Sequence, residues 1–136
     1  LKTTVRAQPR FPWSDGYVTK EALRETVDAL ESLKGDARYK IVTAHHPLLP
    51  ANLGDKNPTI GGDHAFAAIA DAGADAILTG HVHVPFDLQR AAGNRSIRMI
   101  GAGTLSTRLR GAAPGYNVVS YAPESGLAVE QRTYPS

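Results

Sequence analysis

The chain contains no cysteine among its 136 residues, which excludes disulfide staples, thiolate metal sites and thiol nucleophiles together. No apolar run approaches the about 18 residues that a membrane-crossing helix needs, and the first residues lack the apolar core of a secretory signal. A soluble, cytoplasmic protein with no membrane partner is expected. Net charge is also scarce. Lys plus Arg number 15 against 13 Asp plus Glu, so the balance of +2 gives no reason to expect nucleic acid as a partner. Internal repeats and low-complexity segments are missing as well. The only methionine is Met99 and the first residue is Leu1, so a piece of a longer protein is expected. What is present is ordinary: 42% apolar and 21% charged residues describe a single globular domain over residues 1–136, able to bury a core without staples.

The pattern of elements predicts an α/β fold. Residues 3–7 form a β-branched run that reads as a strand, and the loop after it carries Phe11 and Trp13 among prolines, as a substrate lid or a simple anchor. Thr19 is suited to cap a helix over about residues 19–34, in which Leu23, Val27, Leu30 and Leu33 recur at helical spacing. Residues 39–44 are an unalternating run, as in a strand covered on both faces of a parallel sheet. A loop with Pro47, Pro50, Gly54 and Pro58 follows, long enough to signal function. Asp63 then caps a helix to about residue 72, and residues 74–79 form a second short strand parallel to the first. Residues 86–92, 96–102, 116–121 and 127–133 read as antiparallel strands separated by glycine-containing turns.

The chemistry lies where the two parallel strands end. His45 and His46 follow one strand, and His81 and His83 follow the other, 36 positions after His45. In open α/β sheets, ligands collect outside the carboxyl ends of strands, and imidazole suits zinc, iron, manganese or nickel. Histidines one residue apart in an extended segment share a side, and Gly80 would let the backbone bend close to an ion. A His-x-His alone is a weak pattern; two clusters at equivalent strand ends are a stronger one. His64, ahead of an apolar stripe, reads as a surface or capping residue and not as a ligand. Arg108 and Arg110 offer planar donor forks to an anionic substrate, although a solvated loop would also carry them.

His45-His46-Pro47 followed by Gly80-His81-Val82-His83 resembles the last two motifs of the calcineurin-like metallophosphoesterases, the superfamily of purple acid phosphatases and cyclic nucleotide phosphodiesterases. The resemblance covers nearly the whole chain, most firmly residues 39–90. It implies the C-terminal half of an α/β/β/α sandwich, with a mixed sheet of parallel strands followed by antiparallel ones. It further implies two divalent or trivalent ions (Mn, Fe or Zn) and hydrolysis of a small phosphomonoester or phosphodiester. By the same resemblance His45 and His81 bind one ion and His83 the other. His45 is preferred over His46 because relatives with a single histidine place it two positions before the proline. His46 is then left for a catalytic role near the substrate phosphate. The superfamily's earlier Asp-x-His, Gly-Asp-x-x-Asp and Gly-Asn-His motifs have no counterpart here, since Asp15 and Asp28 lie in other contexts. The chain is therefore expected to supply half of a dinuclear site, to be weakly active alone, and to form a homodimer over a sheet face left bare. The alternative is a non-catalytic scaffold module of the same fold.

Overall fold

The structure, a computed structural model, describes residues 1–5, 14–52, 54–106 and 110–134. Its centre is a four-stranded mixed sheet built from β2 (Ile41–Thr43), β4 (Ala76–Thr79), β5 (Phe86–Ala92) and β6 (Arg95–Gly101), in the order β2-β4-β6-β5. The first three in that order run parallel and β5 closes the sheet as an antiparallel hairpin with β6. Two helices, α1 (Lys20–Glu31) and α2 (Gly62–Asp71), accompany the sheet. A minimal parallel pair joins β1 (Gly16–Tyr17) to β3 (Thr59–Ile60), and a long hairpin joins β7 (Gly115–Ala122) to β8 (Gly126–Thr133).

Alternation along the central strands divides the apolar side chains between two layers. Val42, Ile77, Ile97 and Met99 point to the helical layer and pack with Leu30, Leu48, Phe66 and Ile69. Burying each such side chain stabilises the fold by roughly 1.5–3 kcal/mol. Ala76 and Ile100 point the other way and pack with Leu127 of β8, with Leu78 and Val129 alongside. The face opposite the helices is therefore covered in part by the β7–β8 hairpin, which corrects the expectation of a bare sheet face. Apolar side chains stay exposed on the hairpin, at Tyr116, Val119 and Tyr121, and at Ile41 on the sheet edge.

Thr19 caps α1 as expected, its Oγ1 accepting the Ala22 N–H at 3.1 Å. Three other expectations need correction. No regular element covers residues 1–5, and residues 6–13, with Phe11 and Trp13, lie outside the described ones. The residue at the head of α2 is Gly61, in the left-handed region at φ 76°, with no side-chain cap, so Asp63 sits inside the first turn, where it complements the helix dipole. Finally, β2 is an edge strand with only Val42 buried, because the sheet ends there; the central β4 is the buried parallel strand.

Candidate metal centre

The backbone pairing of β2 and β4 continues past the strands proper. The Ala44 N–H donates to the Leu78 carbonyl at 2.9 Å, and the Gly80 N–H donates to the His45 carbonyl at 3.1 Å. His45 and His81 thus leave the sheet side by side, and His45 Nε2 lies 3.2 Å from His81 Nδ1. His46 turns inward and is 6% exposed. Its own N–H donates to Thr3 Oγ1 at 3.1 Å, and the same hydroxyl lies 3.1 Å from His46 Nδ1. The His46 ring centroid is 4.2 Å from that of His81 and 4.7 Å from that of His45.

One nitrogen from each of His45, His46 and His81 falls within 4.8 Å of the others, close enough to hold a metal ion. The spacing fits the chemistry. A tetrahedral ion with nitrogens at about 2.0–2.1 Å sets its ligands about 3.3–3.4 Å apart, near the distance between His45 and His81. Burial pushes the His46 pKa down to about 4, assisted by the charges of His81 and His45. Burial also lowers His81, followed by the charges of His45, Arg110 and His83. Both shifts favour the neutral ring, the form that binds a metal.

The Gly80–His83 segment departs from the extended form expected of it. His81 and His83 both have positive φ, at 65° and 63°. The Val82 N–H donates to the Gly80 carbonyl at 2.8 Å, which closes a γ-turn of the strained hand around His81. Gly80 is not in the left-handed region, and a Cβ there would approach nothing closer than the His45 carbonyl at 3.9 Å. The sharp bend thus falls on the histidines themselves. Gly16 does have a steric role: a Cβ on it would lie 2.7 Å from the His46 side chain and 2.6 Å from Thr59 Oγ1.

The three histidines line a cavity of about 210 Å³ together with Thr3, Ser14 and Asp15. Rings of His46 and His81 also hydrogen-bond to the Ser14 backbone. The structure therefore brings His45 and His81 together with His46, the residue that sequence reasoning placed nearer to substrate. His83 is half-buried and outside this trio, acting on His81 through its charge. Arg110 is exposed and acts on His81 in the same way, whereas Arg108 lies outside the described residues. His64 is exposed in the first turn of α2. Sequence reasoning missed Thr3, Ser14 and Asp15 as neighbours of the centre; nothing local in their segments marks them, because His46 is 43 positions from Thr3. Compared with known protein families and with curated proteins, the sequence matches none.

Proposed function

We propose that this chain supplies the histidine half of a metal-dependent phosphoesterase centre in which carboxylates from other motifs complete the site. The observation that carries the proposal is the convergence of His45, His46 and His81 at the carboxyl ends of paired parallel strands, with two of their nitrogens 3.2 Å apart. Support also comes from the motif order, with a helix between His-His-Pro and Gly-His-x-His and antiparallel strands after them. The metallophosphoesterase sandwich is part of this reading.

In this proposal His45 and His81 grip the metal through facing nitrogens, and Thr3 holds His46 in orientation from behind. His83 reaches toward a second ion. Bound cations of this type lower the pKa of coordinated water and neutralise phosphate oxygens during in-line attack. Arg110 approaches the same mouth and attracts an anionic ester. The trio has imidazoles but no bridging carboxylate, so the chain is expected to bind metal better than it turns over substrate.

Calorimetric titration with zinc or manganese tests this reading. One ion per chain is expected, with affinity falling at least tenfold in His81→Ala and in His45→Ala. Wild-type affinity in both variants would remove the centre. A longer protein carrying the three further motifs should hydrolyse bis(p-nitrophenyl) phosphate far faster than this chain does. Comparable turnover by the isolated chain would refute the half-site assignment.

A further inference from the structure

A second, larger cavity of about 450 Å³ lies beside the histidine centre, within the size range of small-molecule sites. Leu49, Pro50, Val84, Pro85, Phe86 and Leu88 give it apolar walls. Two of its other lining residues belong to the segments that carry the histidines: Pro47 follows His46, and Val82 stands between His81 and His83. A third link is ionic. Lys56 lines this cavity, Asp15 lines the cavity at the histidines, and the two side chains meet at 2.9 Å.

We propose that this cavity receives the organic half of the ester, and that this half is an apolar or aromatic alcohol. The inference rests on the phosphoesterase reading and deepens it by naming a substrate class. Among the described residues, a space roomy enough for the substituent of a phosphoryl group at the histidines begins at Pro47 and Val82. The walls favour carbon over hydroxyl groups, since a buried hydroxyl without a partner is costly. The polar side chains at the rim are already engaged, because Asn52 Nδ2 donates to Asp55 Oδ2 at 3.1 Å and Lys56 pairs with Asp15. A polyhydroxylated alcohol would therefore find few open partners. One wall is also preformed: the Arg90 guanidinium donates to the carbonyls of Pro50 and Ala51 and fixes that turn.

Binding to the zinc-loaded chain tests the assignment with inorganic phosphate, phenyl phosphate and phenol as probes. Phenyl phosphate should bind at least tenfold more tightly than inorganic phosphate. Leu88→Gln should reduce that advantage severalfold while leaving the affinity for inorganic phosphate unchanged. Val84→Gln, at an exposed rim position that the core does not need, should act in the same direction. Equal affinity for the two anions, or an advantage that survives both substitutions, would overturn the proposal. Phenol without metal separates the two readings through chemical shifts of the Leu49 and Leu88 methyls. Failure of zinc to bind refutes the phosphoesterase reading and the ester with it, whereas silent methyls refute the subsite whatever zinc does.

Discussion

Thr3 holds the histidine centre through one hydroxyl, which serves both the backbone and the ring of His46. Thr3→Val keeps the shape and removes both contacts, leaving a buried N–H without a partner. Such a loss costs about 1–3 kcal/mol of stability, and losing a partner that orients a ligand typically weakens metal binding about 10–100-fold. Urea unfolding and metal titration should show both effects, and Thr3→Ser should restore most of each. Gly16→Ala tests the same side chain through packing. Its new Cβ would collide with the His46 side chain, so metal affinity should fall together with about 1–3 kcal/mol of stability from overpacking. Wild-type metal affinity in this variant would show that His46 is not a ligand.

At the scale of elements, Arg98 of β6 ties the central sheet to the β7–β8 hairpin. Its guanidinium pairs with both oxygens of Asp87 on β5, at 2.8 and 2.7 Å, and also donates to the Leu127 carbonyl on β8. Arg98→Met should loosen the hairpin and cost about 1.5–3 kcal/mol, the range for hydrogen bonds to charged groups. The hydrogen bonds from Arg98 hold the Asp87 carboxyl below its ordinary value. A carboxylate depressed on folding stabilises the protein above its unfolded pKa of about 3.9 and loses that contribution as pH falls through the folded value. The stability difference between wild type and Asp87→Asn should therefore be full at pH 6 and shrink below about pH 4; a difference independent of pH would count against the pair. The hairpins themselves were legible in the sequence: β5 and β6 flank Gly93-Asn94 and lie within a residue of the expected bounds. Thr19 marked α1 because its cap is a contact made three residues away. The missed features depend on distant partners. The edge position of β2 follows from which strand ends the sheet, and the entry of His46 into the trio follows from Thr3 and Gly16, which local pattern does not connect to it. Likewise, nothing in Gly80-His81-Val82-His83 announces that its histidines, and not its glycine, take the left-handed backbone.

For the whole molecule, the outer edge of β2 and the exposed Ile41 are the places where association between copies is expected, since strand edges recruit other strands. At that edge the Leu1 ammonium donates to the Thr43 carbonyl, and no other strand pairs there among the described residues. Light scattering near 0.1 mM should show a dimer, and Ile41→Lys should return it to monomer. A wild-type monomer at that concentration would refute self-association. Among the described residues no helix is long and apolar enough to cross a membrane. The paired positive φ angles at His81 and His83 bear on the global folding equilibrium. A non-glycine residue held in such a region costs on the order of 1–3 kcal/mol, which the rest of the fold must offset. Glycine at either position relieves most of that strain. His83→Gly is therefore expected to unfold at higher urea than wild type, by about 0.5–1 kcal/mol, while its chemistry at that position is gone. A thermostability screen blind to metal binding would accordingly enrich glycine at the two positions that give this turn its imidazoles.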